Sequence, residues 1–277
     1  MHCLFQRNWH SSVRLDDNNL LSEVTYCGTD REVCARIICD PGTFAVKSAV
    51  WEKYRTPEKA GYESVVLTQL NGMVAYLGCG GALREGLVPL KDSFATSLFA
   101  DTVRGIVQAE TFLVKERGFP SAELYEEYWN RMYQNSCRYY SNLDRVSCGW
   151  YEHVGYHIRE GCLFNRMKSQ SLCLNEHSYL LNGHINDSFH GVAIELELEK
   201  DTRVVKRSDG HLWRAPDSVC KESAAFMKIL EGKNLIGFSK KDIAGFLGGG
   251  SGCVHFIDLA FDALETLDLQ QALLEGS

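Results

Sequence analysis

The stretch "GVAIELELEKDTRVVKRSDG", residues 191–210, decides the fold. Val192, Ile194, Leu196 and Leu198 alternate with Glu195, Glu197 and Glu199, then Lys200, Asp201 and Thr202 make a turn before a second alternating run. A period of two puts the apolar side chains on one face and the carboxylates on the other, so the stretch predicts an antiparallel pair with one buried face. The glutamates of 195–199 are then the solvated side of a strand rather than paired catalytic carboxylates. Downstream of Arg214–Pro216 the pattern changes to helical spacing, over 219–230, 239–246 and 252–273, with Val254, Ile257, Phe261, Leu264 and Leu267 on one stripe of the last. Strands first and helices second argue an α+β fold rather than a doubly wound parallel sheet.

The same order occurs earlier. "EVCARIICDPGTFAVKSAVW", residues 32–51, alternates around a "DPG" turn, and it lies 159 positions before its equivalent. The offset is constant: "CLFQR" at 3–7 returns as "CLFNR" at 162–166, and "YRTP" at 54–57 as "WRAP" at 213–216. Residues 3–57 hold 13 identities to the later copy without a gap, a run too long in one register to be ascribed to chance. The register continues through "ES" at 63–64 and 222–223 and through Gly78 and Gly237, then shifts by two. These correspondences predict a tandem duplication: a first copy over 1–118, structural in role, a helical, aromatic-rich connecting segment over 119–160, and a second copy over 161–277.

Composition excludes several function classes. The chain of 277 residues is 45% hydrophobic and 23% charged, the balance of a folded globular protein. A net charge of −7 with no dense basic run argues against nucleic acid. Residues 64–83 are uncharged, but Gln69, Asn71 and four glycines make them a poor membrane span, so no membrane role is expected. "MHCLFQRNWH" has no signal-peptide or transit-peptide pattern, and a cytoplasmic location is the expectation. Eleven cysteines is an odd number that complete internal pairing cannot satisfy, and reduced thiols are expected.

Duplication allows the two copies to be compared for polar residues that only one of them carries. His184, Asp187, His190 and Cys220 stand against Thr25, Gly28, Arg31 and Gly61, and Cys253 and His255 against Thr96 and Leu98. This asymmetry predicts one live site in the second copy, with His190, Cys220, Cys253 and His255 as metal ligands. Two thiolates and two imidazoles suit zinc, and mixed cysteine and histidine ligation also suits an iron-sulfur cluster. Inside a helix, positions two apart project about 200° from each other, so Cys253 and His255 can share an ion only if the helix begins after Cys253. The "GGGSG" run before it supplies that freedom, and Gly249, Gly250 and Gly252 are candidate binders of a small molecule or anion. Cys137, Cys148, His153 and His157 of the connecting segment are a looser second set.

"LLNGHIND", "HGVAIELELEKDTRVV", "RAPDSVC", "LIGFSKKDI" and "GGGSGCVHFIDL", in that order over about 161–267, resemble the bacterial domain of unknown function 2889 family. That resemblance implies no activity. A fainter one, to iron-sulfur cluster scaffolds of the NifU-like fold, implies ligands near His190, Cys220 and Cys253 or His255. Here Gly191 follows the first ligand where those scaffolds have aspartate, and a histidine replaces a cysteine. The expected function is a metal-binding accessory or carrier protein, holding zinc or an iron-sulfur cluster and acting with a protein partner. The alternatives are a cysteine-dependent enzyme with Cys253 as nucleophile at a helix N-terminus, or a non-catalytic partner protein.

Overall fold

The computed structural model describes residues 1–275. Its order opens with five strands, β1 (His2–Asp16), β2 (Asn19–Gly28), β3 (Glu32–Cys39), β4 (Val46–Arg55) and β5 (Ala60–Val66). Four helices follow, α1 (Gly80–Leu87), α2 (Ser93–Ala109), α3 (Ala122–Met132) and α4 (Trp150–Val154). Then come β6 (Cys162–Leu174), β7 (Ser178–Asp187), β8 (Gly191–Glu199) and β9 (Val205–Arg214), and α5 (Ser218–Lys221), α6 (Lys240–Phe246) and α7 (Val254–Glu275). The nine strands form an antiparallel sheet in the order β5-β4-β3-β2-β1-β6-β7-β8-β9. The architecture is α+β. None of the described helices is long and apolar enough to cross a membrane.

The chain divides into two compact units, a larger one of residues 1–8, 126–156 and 168–277 and a smaller one of 9–125 and 157–167. The long strands β1 and β6 supply residues to both.

In the larger unit β8 pairs with β7 and β9, with Ile194 opposite Gly183 and Gly210. Val192, Ile194, Leu196 and Leu198 are buried and Glu195 and Glu199 exposed, as the alternation requires. Residues that read as a helix over 219–230 form only the short α5 and then 3-10 turns over Glu222–Leu230. α7 packs on β7 and β8 and buries Phe256, Leu259, Ala260 and Ala263. Gln170 of β6 is buried under this helix and donates to the Leu259 carbonyl at 2.9 Å.

The smaller unit repeats the arrangement, with α2 on β2 and β3 over a core that includes Trp51 and Phe99. Ser22 of β2 donates to the Thr102 carbonyl of α2 at 2.8 Å.

The correspondence at 159 positions extends to single hydrogen bonds. β2 and β4 map onto β7 and β9 end to end. Gly28 N donates to Arg31 O, and Asp187 N to His190 O, both at 2.9 Å. Arg55 donates from both terminal nitrogens to the carbonyls of Gly28 and Thr29, and Arg214 to those of Asp187 and Ser188. Phe44 and Arg203, equivalent non-glycine residues, have φ of 59° and 61°. The likeness breaks after the fourth strand of each set: Glu63 and Ser64 lie in β5, whereas Glu222 and Ser223 begin the 3-10 turns. The matched "ES" dipeptides are therefore in different structures.

Candidate metal centre

The β7–β8 connection is built around one aspartate. Asp187 ends β7, its side chain is fully buried, and its Oδ1 accepts from the backbone N–H groups of Phe189 and His190 at 2.8 and 2.7 Å. This is an Asx-type turn, the local bond that makes aspartate a natural residue at such a corner. The same oxygen lies 3.2 Å from His190 Nδ1. Arg214 closes the turn from β9, donating to Ser188 O at 2.9 Å, His190 O at 3.0 Å, Asn186 Oδ1 at 2.7 Å and the Asp187 carbonyl. Gly191 leaves room for Trp213, whose indole would lie 2.0 Å from a Cβ there. A side chain in place of this glycine would displace the indole.

The connecting segment holds the turn from another side. His153 Nε2–H donates to the Phe189 carbonyl at 2.9 Å, which assigns its tautomer, and burial lowers its affinity for a proton. Trp150 meets the Phe189 ring edge to face with centroids 5.0 Å apart.

The second half of the site comes from the start of α7. Cys253 immediately precedes the helix, and its carbonyl accepts from Ile257 N at 3.2 Å. From that capping position its Sγ reaches within 3.8 Å of His255 Nδ1. The His255 ring lies 4.3 Å from that of His190 between centroids. Ligand-type atoms of Asp187, His190 and His255 all fall within 4.8 Å of one another, with the carboxylate buried and both rings partly buried. In each ring Nδ1 faces a partner within the site, Asp187 for His190 and Cys253 for His255.

The structure thus brings His190 and His255 together and sets Cys253 beside them. Cys220 sits in α5 among apolar core side chains, outside the group of three. Burial pushes its thiol up to about 11 and that of Cys253 up to about 12, and nearby Cys137 adds to both. Asp187 was not among the four ligands expected from the sequence. It differs between the copies, facing Gly28, but a polar residue at a hairpin corner has a sufficient local reason to be there.

The glycine run is enclosed by the connecting segment. A Cβ on Gly250 would stand 2.0 Å from the Asn135 carbonyl oxygen, and one on Gly252 would stand 1.8 Å from that of Leu247. Arg138 N donates to Gly252 O at 2.7 Å and Ser141 Oγ to Gly250 O at 2.5 Å. Gly249 has a φ of 51°. Close backbone packing and a left-handed turn account for these glycines without a bound anion. Of the looser second set, Cys137, Cys148 and His153 belong to the larger unit and His157 to the smaller, where its ring lies 6.0 Å from that of Phe112.

Residues 174–270 match the model of a family described as protein of unknown function (DUF2889). The match covers a minority of the chain, from the end of β6 into α7, and contains Asp187, His190, Cys220, Cys253 and His255. No curated protein matches the chain. No solved structure matches it either.

Proposed function

We propose that this protein binds one divalent metal ion of the zinc class through His190, His255 and Asp187, with Cys253 adjoining the site. The observation that carries this reading is the convergence of two imidazoles and a buried carboxylate within 4.8 Å. Two neutral nitrogen donors and one anionic oxygen leave a fourth tetrahedral position for water or for a group brought by another molecule. Cys220 lies in the apolar core outside the group of three, which favours this set over one built on two thiolates and so zinc over an iron-sulfur cluster; burial also raises the Cys220 and Cys253 thiols. The same elevation weighs against Cys253 as a free nucleophile, because the thiolate is the reactive form.

The wider reading is of a duplicated scaffold with one live site, serving as a metal-binding accessory or carrier protein with a protein partner in the cytoplasm. Equivalent elements, matched turn hydrogen bonds and the paired arginines Arg55 and Arg214 support the duplication. In the smaller unit Arg31 stands where His190 does, 2.8 Å from Asp30 and 3.8 Å from Asp92. Its guanidinium supplies a fixed positive charge there. The NifU-like likeness gains no support from the comparisons.

Metal analysis tests the proposal. Protein stripped with a chelator, reloaded with zinc and desalted should retain a stoichiometric amount, and His190→Ala and His255→Ala should each lose most of it. Retention equal to wild type in both variants would refute the assignment.

A further inference from the structure

A pair of cysteines lies at one end of β1 and β6, outside the candidate metal centre. Cys3 is the second residue of β1 and Cys173 the last but one of β6. The two strands are antiparallel neighbours, so the start of one lies beside the end of the other. Both residues belong to the larger unit. Leu15 N donates to Gly161 O at 3.1 Å, and the same pairing carried along the two strands sets Cys3 opposite Cys173. Cys3 is exposed and Cys173 partly so, which gives an oxidant access without unfolding. Facing residues of an antiparallel pair have Cα atoms about 4.5–5.5 Å apart, within the span a disulfide needs.

The opposite end of these strands provides a contrast. Cys162 is the counterpart of Cys3 at 159 positions, but the counterpart of Cys173 is Arg14. Cys162 instead accepts from Asn165 Nδ2 at 2.8 Å. One end of the strand pair has a dithiol, and the other a single thiol beside an amide.

We propose that Cys3 and Cys173 are an oxidisable dithiol that a two-electron oxidant such as hydrogen peroxide closes to a disulfide, stapling β1 to β6. The Cys3 thiolate attacks one peroxide oxygen, the O–O bond breaks, and the departing hydroxide takes a proton to leave as water. Cys3 is then a sulfenic acid. The Cys173 thiolate attacks its sulfur, the S–S bond forms, the S–O bond breaks, and the leaving hydroxide takes a proton as a second water. Two thiols are oxidised and one peroxide is reduced to two waters. The exposed Cys3 reacts first because the oxidant reaches it more readily, and Cys173 is the resolving thiol.

The test uses the full chain treated with hydrogen peroxide, quenched with iodoacetamide and digested without reductant. Mass spectrometry should find a Cys3–Cys173 linked peptide as the main disulfide product, absent after dithiothreitol and absent in Cys3→Ser. In Cys173→Ser the Cys3 sulfenic acid should persist, giving several-fold more dimedone adduct at Cys3 than wild type. The proposal is overturned if Cys3 and Cys173 are recovered separately while other cysteines oxidise, or if Cys3 links to Cys3 of a second molecule. Unchanged dimedone labelling in Cys173→Ser would overturn the order of attack.

Discussion

The rings of His190 and His255 lie 4.3 Å apart between centroids, although one residue precedes a strand and the other begins a helix. Each is held by its own neighbour, His190 by Asp187 at 3.2 Å and His255 by Cys253 at 3.8 Å. The site therefore depends on two local structures, a hairpin turn and a helix start, being brought together by α7 packing on β7 and β8.

The turn depends on Arg214, and the smaller unit provides its control. Arg214→Ala should lower zinc affinity about 10–100-fold, the usual scale for loss of a supporting partner around a metal site. Arg55→Ala removes the equivalent bonds to Gly28 and Thr29 and should leave zinc affinity unchanged. Calorimetric titration of both variants checks this, and an equal loss in the two would show that the effect is on the fold rather than on the site.

Packing around the glycine run gives a second prediction. Gly252→Ala places a methyl group against the Leu247 carbonyl and should destabilise the protein by about 3 kcal/mol or more. Gly245→Ala in α6 meets nothing within 4 Å and should stabilise by up to about 1 kcal/mol through helix propensity. Urea denaturation of the two variants should move the midpoint in opposite directions.

Asp217 makes stability depend on pH. Its carboxylate caps α5 by accepting from Val219 N at 2.8 Å and also accepts from Ser147 N, Ser147 Oγ and Cys148 N. The Val219 bond is the main cause holding its pKa down to about 2, with the Ser147 and Cys148 bonds adding to it. An aspartate in the unfolded chain titrates at about 3.9. The folded value is the lower one, so the contribution is complete above about pH 4 and is lost as pH falls through about 2. Asp217→Asn should cost about 2 kcal/mol near neutrality, and the gap from wild type should narrow between about pH 4 and pH 2. A gap that stayed constant through that window would show that the carboxylate charge is not what matters.

Thiol reactivity separates the metal reading from the enzyme reading. Cys253 is buried and its thiol is pushed up to about 12, whereas Cys27 and Cys162 are exposed. Metal-free protein treated with limiting iodoacetamide near neutral pH should be alkylated at Cys27 and Cys162 well before Cys253. Early labelling of Cys253 would favour the nucleophile.

Much of the fold was legible in the sequence because strand alternation is a local signal. The glutamates of 195–199 and the apolar residues between them assign β8 and its faces without reference to the rest of the chain. The alternating stretch at 32–51 extended that reading to β3 and β4. What the sequence did not reveal was β5, since the stretch 159 positions later, after β9, is helical. Of the expected ligands, His190 and His255 fall in the group of three and Cys253 beside it; each drew attention because the position matched to it in the first half of the chain carries a different side chain. Asp187 was harder to assign, because an aspartate at a hairpin corner satisfies the backbone whether or not it also faces an ion. Cys220 had the right chemistry, but its helix turns it into the apolar core, which spacing along a chain cannot report.

The proposed site requires that imidazole and carboxylate, rather than a pair of thiolates, hold the metal. X-ray absorption at the zinc edge of the reloaded protein tests it directly. The proposed site predicts a first shell of nitrogen and oxygen at about 2.0–2.1 Å with outer-shell scattering from two imidazoles. A first shell dominated by two or more sulfurs at about 2.3 Å, or no zinc retained at all, would contradict it.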